Sequence, residues 1–224
     1  MSREPRSAPP ESRRRRLSAA QRRGELVAAA QQLFSRRAPD GVTIDEIAAE
    51  AGASRPLVYR FFSSKRELYE AALTQAADEL ITRFDTPHEG PLAERLHRIV
   101  LAYLVFVERH AAGYLALLRG ASAVEASHAT AVIDRVRRHA VEQMCLHLEI
   151  EEPGPWLELT VRTAIALIEA TAQIWLADTH VPAPELADWL VDQISTMFTA
   201  TATRDPQTAD VLRHATPHPR PTRT

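Results

Sequence analysis

Three side chains in one short segment, Arg55, Tyr59 and Arg60, have the chemistry to bind nucleic acid. A guanidinium group can hydrogen-bond to a guanine edge or a phosphate, and a tyrosine hydroxyl can bind a phosphate oxygen. Val58 and Phe62 are four residues apart and should point into a core, which leaves the three polar side chains on other faces of a helix. The alternative is that the two arginines are merely solvated.

The residues around them predict two short helices joined by a tight turn. Thr43 and Glu46 form a capping-box pair, in which each side chain can satisfy a free backbone N–H. Gly52 lies where the first helix must end and the chain must turn. Ser54 is predicted to cap the second helix, and Pro56 suits its first turn. This layout is that of a DNA-reading helix-turn-helix.

The flanking segments predict further helices around this motif. Ser18 and Gln21 suit the start of a helix that ends near Arg37, and Ser64 suits the start of a fourth helix that ends near Phe84. The first 17 residues contain four consecutive arginines among Ser, Pro and Glu, and they predict a flexible basic arm. Such an arm can lie along DNA phosphates, although a solvated tail is the alternative.

Over residues 18–84 the chain resembles the tetracycline-repressor (TetR/AcrR) family of transcriptional regulators. The resemblance rests on an ordered set of segments: Leu33-Phe34, Gly41-Val42-Thr43, Ile47-Ala48, Ala51-Gly52-Ala53-Ser54, Tyr59-Arg60-Phe61-Phe62 and Ser64-Lys65 with Leu68. The chain departs from the usual pattern at Pro56, Leu57 and Phe61. Leu57 can meet a thymine methyl group or pack on the neighbouring helix. The residues expected to contact DNA are Thr43, Ser54, Arg55, Leu57, Tyr59, Arg60 and Lys65, with Thr43 and Lys65 placed against the backbone by the resemblance.

The composition predicts an all-α protein with a basic head and an acidic body. Glycine is scarce, with seven in 224 residues, and no alternating β-branched runs occur. Residues 1–66 contain 14 Arg/Lys and seven Asp/Glu, whereas the remaining residues contain 13 and 22. This asymmetry favours a DNA-binding end joined to a different domain.

Residues 85–203 predict a helical domain for effector binding and dimerisation, followed by a disordered tail over residues 204–224. The last two long helices contain more apolar positions than one buried stripe needs, although a buried core helix would look similar. Because a two-fold DNA reader must pair, and the family pairs through these helices, we expect a homodimer. The predicted interface residues are Ile165, Ala172, Leu176, Trp189, Ile194 and Met197.

A small-molecule site is expected between the helices of this domain, with ordinary core packing as the alternative for each residue. The candidate lining residues are Tyr103, Phe106, His110, Tyr114, Leu117, Trp156, Glu169, Gln173 and Trp175. Glu169 lies in an apolar stretch, where a carboxylate is costly to bury unless it is paired. It is expected to anchor a ligand, to pair with an arginine such as Arg162 or Arg119, or to reach water.

Catalysis finds little support, because the chain has no phosphate-binding glycine loop or nucleophile motif, and no metal or cofactor site is expected. The single cysteine, Cys145, and the lack of a signal peptide or long apolar span favour a soluble, cytoplasmic protein. The resemblance implies a repressor that binds a palindromic operator in double-stranded DNA as a homodimer. A small apolar effector would release it. A ligand-independent or activating regulator is the alternative, and a helical scaffold or enzyme with a vestigial helix-turn-helix is a different class.

Overall fold

The structure is a computed structural model that describes residues 18–85, 89–118, 123–178 and 181–215. All regular elements in these ranges are helical, which confirms the predicted all-α fold. The basic arm over residues 1–17 lies outside the described residues. The helices are α1 (Ala19–Arg36), α2 (Ile44–Glu50), α3 (Arg55–Phe61), α4 (Lys65–Phe84), α5 (Leu92–Arg109), α6 (Ala111–Leu118), α7 (Ala123–His147), α8 (Pro155–Asp178), α9 (Ala183–Ala202) and α10 (Pro206–Ala215).

The first four helices enclose a small core, and we call this part the head. Leu26, Ile47, Val58 and Phe62 are at most 1% exposed and lie at its centre. Capping boxes begin α1 and α2, as the sequence predicts, because each pairs a Ser or Thr with a residue three positions on. The guanidinium group of Arg23 lies 4.8 Å from the centre of the Phe62 ring and covers the core on one side.

The turn between α2 and α3 is a Schellman motif centred on Gly52. The N–H of Ala53 donates to the carbonyl of Ala48 at 2.8 Å, and that of Gly52 donates to the carbonyl of Ala49 at 3.1 Å. Gly52 has a φ of +57°, a conformation that residues with a Cβ rarely adopt. The turn therefore fixes how α3 leaves α2.

Helices α5 and α7 to α10 contribute to a second, larger core, and with α6 we call this part the body. Leu104, Leu157, Leu190 and Ile194 are fully buried in it. Helix α4 contributes to both cores, because Leu68 and Ala72 are buried in the head and Leu80 and Phe84 in the body. Helix α1 also packs against α6, and α4 packs against both α5 and α7, so head and body meet along three helix pairs.

The contact between α1 and α6 depends on Gly113. Gly113 lies in the first turn of α6. A Cβ atom at Gly113 would lie 2.7 Å from the carbonyl oxygen of Phe34 in α1. The backbones of these helices therefore approach more closely than any other residue at position 113 would allow.

The prediction of a disordered tail from residue 204 is wrong for residues 206–215, which form α10. The carboxylate of Asp205 accepts hydrogen bonds from the N–H and the hydroxyl of Thr208, and Pro206 occupies the first turn. Val211 is buried against the body core. One capping residue and a narrow apolar face were enough to form a helix in a segment whose composition suggests disorder. Residues 216–224 lie outside the described residues.

Two of the predicted interface residues, Ala172 and Ile194, are fully buried within the protomer, so they are core residues and not interface residues. Ile165, Leu176 and Met197 are partly buried against the same core. Trp189 is 48% exposed. The helical spacing correctly identified apolar helices. However, helical periodicity alone does not distinguish the face that packs inside a protomer from the face that remains outside.

The capping role of Asp205 can be tested by comparing Asp205→Ala with Asp210→Ala. We expect Asp205→Ala to weaken α10 by about 1 kcal/mol, the usual value of an N-cap, and so to speed amide exchange over residues 206–215 about fivefold. Asp210→Ala removes an equally charged side chain from the exposed face of α10, where it pairs with Arg213, and should change exchange little. Equal exchange rates in the two variants would contradict the role of Asp205 as the cap.

Candidate nucleic-acid interface and ligand cavity

Helix α3 presents a polar, exposed face on the outside of the head. Val58 and Phe62 point into the core, as their spacing predicts. Arg55, Tyr59 and Arg60 are exposed, and the Tyr59 side chain is 44% exposed. These three side chains are therefore accessible to a macromolecule that lies along α3.

Arg55 is held in place by two neighbours. Its Nη1 atom lies 2.7 Å from Oδ2 of Asp45, and its guanidinium carbon lies 5.6 Å from the centre of the Tyr59 ring. More than half of both charged side chains is exposed, and exposed ion pairs contribute little free energy. Exchange of Asp45 for a phosphate would therefore cost little.

The other predicted DNA contacts lie at helix starts. Ser54 occupies the N-cap position of α3, but the predicted side-chain cap is not formed, and its hydroxyl is exposed. The Thr43 hydroxyl donates to the Glu46 carboxylate at 2.9 Å and accepts from the Glu46 amide at 3.2 Å. Nζ of Lys65 lies 3.5 Å from the carbonyl oxygen of Asp40. Leu57 is half-buried.

A cavity of about 130 Å³ lies between the head and the body, and we call it the interdomain cavity. Of the predicted lining residues, five contribute to its walls: Tyr103, Phe106, His110, Tyr114 and Glu169. The opposite wall, which the sequence did not predict, belongs to α1 and α4 and includes Gln31, Phe34, Tyr69 and Ala76. No feature of the sequence marked these residues as part of a cavity, because the cavity forms between helices that are far apart in sequence.

Three predicted lining residues lie elsewhere. Trp156 is 50% exposed on the outer surface of α8, and Trp175 is buried with its indole N–H donating to the carbonyl of Val181 at 2.8 Å. Gln173 does not contribute to the wall. The side chain of Leu117 lies outside the described part of the chain.

Tyr103 and Tyr114 form a hydrogen-bonded pair in the wall, with 2.8 Å between their hydroxyl oxygens. Burial raises the pKa of both phenols, so both remain protonated. Next to them Glu169 accepts three hydrogen bonds from Arg137, the shortest of 2.7 Å. Glu169 thus pairs with an arginine, as one alternative predicted, but the partner is Arg137. Arg162 pairs with Glu158, and Arg119 lies outside the described residues.

His110 lines the cavity at its end near the head. Its ring packs on Phe106 with 4.4 Å between the centroids, and burial lowers its pKa, which favours the neutral form. Its Nε2 atom is buried and finds no hydrogen-bond partner among the described residues. Nearby, Glu79 accepts hydrogen bonds from Arg83 at 2.6 Å and from Gln31 at 3.1 Å. Within the described ranges, no three His, Cys, Asp or Glu side chains are grouped as a metal site would need.

Comparison with known proteins gives matches over both parts of the chain. Residues 26–72 match the family described as bacterial regulatory proteins, tetR family, and residues 92–197 match the tetracyclin repressor-like C-terminal domain. The crystal structure of a tetR-family transcriptional regulator from Streptomyces coelicolor is 43% identical, with a TM-score of 0.84, over 89% of this chain and 90% of that one. The chain belongs to the TetR family of transcriptional regulators.

Two further relatives are less similar. The HTH-type transcriptional activator FasR of Mycolicibacterium smegmatis is 38% identical over 105 residues, which are 44% of this chain and less than half, 46%, of that protein. The transcriptional regulator FadR from Bacillus subtilis, solved in complex with stearoyl-CoA, is 14% identical with a TM-score of 0.62 over 76% of this chain and 96% of that one. That level of identity shows a shared fold alone.

Because the chain belongs to the TetR family, it is a DNA-binding transcriptional regulator. The TetR family is a family of regulators and not of enzymes. The helix-turn-helix lies within the residues that match the family's N-terminal part. The interdomain cavity lies between the two matched segments and has walls from both.

The position of α3 depends on the capping box of α2, and this dependence predicts a pH effect. A hydrogen bond from the Thr43 amide, together with the Arg37 and Thr43 side chains, lowers the pKa of Glu46 from 4.5 to about 2. A carboxyl group with a lowered pKa in the folded state stabilises the fold above the unfolded pKa, and that contribution disappears as the pH falls towards the folded pKa. We therefore expect Glu46→Gln to lower the melting temperature at pH 7, and its difference from the wild type to shrink between about pH 5 and pH 2.

Glu50→Gln is the matched control, because Glu50 is exposed at the end of the same helix and has no hydrogen-bond partner among the described residues. Glu50→Gln should leave the melting temperature close to that of the wild type both at pH 7 and between about pH 5 and pH 2. A Glu46→Gln difference that stays constant with pH would contradict the assigned role.

Proposed function

We propose that this TetR-family regulator is a cytoplasmic homodimer that represses transcription from a palindromic operator and is released by a small, apolar effector. The observation that supports effector control is the position of the interdomain cavity. Phe34 and Tyr69 of the head and Tyr103 and Tyr114 of the body contribute to its walls. A ligand there contacts both parts at once, so its binding depends on how they are placed.

Helix α3 is the element proposed to enter the major groove. Arg55 and Arg60 would donate to guanine edges or phosphates, and Tyr59 would donate to a phosphate oxygen. Ser54, Thr43 and Lys65 lie at helix starts, where hydroxyl and ammonium groups can donate to the backbone. Leu57 is half-buried, which leaves only part of its side chain available to a thymine methyl group.

The outer face of α8 supports dimerisation. Trp156, Leu159 and Ile174 are 50%, 55% and 65% exposed and lie on one side of this helix, and Trp189 of α9 is 48% exposed. Monomeric soluble proteins rarely expose large apolar patches. We propose that this face, and not Ala172 or Ile194, pairs with its copy in the partner. A dimer would place two copies of α3 in grooves about 34 Å apart, one turn of DNA.

The apolar character of α8 also raises the question of a membrane. Among the described helices it is the one long and apolar enough to cross a bilayer, over Pro155–Ala177. One such helix is weak support for a membrane protein, because a long packing helix of a soluble protein has the same composition. A dimer interface accounts for the same exposed side chains.

Release from DNA requires that the effector bind the DNA-incompetent arrangement more tightly, since equal affinity for both states shifts nothing. The contact of Gly113 with the Phe34 carbonyl is suited to transmit such a change, because the two backbones are already in close contact. If α6 moves by a few tenths of an ångström, either α1 moves with it or the contact between the two helices is lost.

Activation is the second candidate for the effect on transcription, because FasR, 38% identical over 105 residues, is described as an activator. Both candidates share the operator and the cavity. They differ in where the operator lies relative to the promoter.

The proposed function is tested by selection from sheared genomic DNA at physiological salt, followed by sequencing of the retained fragments. We expect enrichment of a few palindromic sites, since a symmetric dimer reads two equal half-sites. Retention without sequence preference would contradict an operator-specific regulator and leave only a backbone binder.

The role of α3 can be measured with the selected operator. Arg60→Ala should weaken binding by about 1–3 kcal/mol if Arg60 reads a base, with the protein still folded. Arg138→Ala is the control, because it removes the same charge from an exposed position on α7 in the body. Equal losses in the two variants would indicate only a general charge effect.

The dimer face can be tested by Ile174→Arg. An unpaired guanidinium buried at the interface should weaken dimerisation about tenfold or more, as measured by sedimentation, and operator affinity should fall with it. Val105→Arg is the matched control, because Val105 is an apolar residue of similar exposure, 43%, on a different helix, α5. A dimer that survives Ile174→Arg with unchanged affinity would show that another surface pairs.

A further inference from the structure

A second, smaller cavity of about 50 Å³ continues the interdomain cavity deeper into the body, and we call it the inner cavity. Tyr103, Val136 and Glu169 contribute to the walls of both cavities. The remaining walls of the inner cavity are almost entirely apolar and include Phe84, Ile99, Met144, Ile165 and Ile168. The two cavities are therefore neighbouring compartments separated by shared side chains.

The two compartments lie in line along the same helices. On α5 the interdomain cavity is lined by His110, Phe106 and Tyr103, and the inner cavity by Tyr103, Val100 and Ile99. On α7 the lining residues run in the same order, from Val132 through Val136 to Ala140 and Met144. On α4 they run from Tyr69 to Leu80 and then to Phe84. Three helices thus define one common axis.

The length of this axis can be estimated from the helical rise. Ile99 to His110 spans about 16 Å along α5, and Val132 to Met144 spans about 18 Å along α7. A single acyl chain in a membrane covers about 15 Å, half of the hydrocarbon core of a bilayer. The combined path is thus about as long as one long acyl chain.

Most polar groups lie at the near end of this path and at its midpoint, and Gln143 is the one polar side chain that lines it beyond the midpoint. His110, with its unpartnered buried Nε2 atom, lies at the end near the head, close to Arg83, Arg109 and the single carboxylate of Glu79. The Tyr103–Tyr114 hydroxyl pair and the Glu169–Arg137 ion pair stand at the midpoint. This distribution fits a ligand with one polar end and a long apolar tail.

We propose that the effector is a linear long-chain acyl compound whose polar end lies near His110 and whose tail passes Tyr103 into the inner cavity. The inner cavity then sets the chain length that the protein recognises. This inference rests on the proposed function, because it names the effector of the same cavity. A short chain fills the interdomain cavity alone, whereas a long chain must also displace the shared wall and occupy the inner cavity.

The test is a set of binding measurements on the full chain with octanoate, dodecanoate and hexadecanoate. In the wild type we expect affinity to rise with length, by up to about fourfold for each methylene that becomes buried. Hexadecanoyl-coenzyme A and coenzyme A alone are measured in parallel, because the acyl chain can arrive as a free acid or as a thioester. Tighter binding of the thioester than of the acid, with none of coenzyme A alone, would identify the thioester as the source.

Two alanines provide matched variants. Ala140 lines only the inner cavity and Ala76 only the interdomain cavity, and both are partly buried. Ala140→Leu should weaken hexadecanoate binding about tenfold or more and leave octanoate within about twofold, because the added side chain occupies only the tail end of the path. Ala76→Leu should weaken all three chain lengths.

Operator binding without ligand is also measured for each variant. It separates failure of the acyl inference from failure of the proposed function. If the wild type binds its operator but none of the fatty acids or the thioester, the acyl inference fails while the proposed regulator stands. The inference is also overturned if Ala140→Leu weakens octanoate and hexadecanoate equally. If acyl chains bind with the expected length dependence but no operator is found, the effector class holds and the proposed function fails.

Discussion

The architecture depends on α4 being one uninterrupted helix that is buried at both ends in different cores. Leu68 and Ala72 pack with the head, whereas Leu80 and Phe84 pack with the body. A helix transmits displacement along its axis because each turn is hydrogen-bonded to the next. A break between Ala72 and Leu80 would leave two domains joined by a hinge. With the helix intact, any change in how the body holds its C-terminal half must also move the head.

The contact between α1 and α6 connects the body to the head at a second place, in addition to α4. Gly113 lies against the carbonyl of Phe34, and both residues contribute to the wall of the interdomain cavity. The body therefore holds the head at two places, through α4 and through α6. Tightly packed contacts are bistable rather than continuously deformable, so a ligand that spreads these elements should favour a second discrete arrangement.

The sequence predicts the head well and the cavity only in part, for physical reasons. Capping boxes, a turn glycine and short apolar stripes are local features, so Thr43, Gly52 and Val58 could be placed before the structure was known. The cavity arises from contacts between residues far apart in sequence, such as Gln31 with Glu79. Trp156 lies away from the interdomain cavity and Ile194 lies in the protomer core, and the sequence does not show this because helical period identifies an apolar stripe without showing what covers it.

The polar groups of the cavity contribute more to ligand discrimination than its volume does. An apolar cavity alone discriminates weakly, since each methylene contributes only about 0.8 kcal/mol. A buried polar atom without a partner imposes a larger penalty, which a matching ligand relieves. His110 provides such an atom at one end, while Tyr103 and Glu169 are already satisfied by Tyr114 and Arg137. Recognition of the polar end therefore belongs at His110, and the satisfied pairs are left to shape the path of the apolar tail.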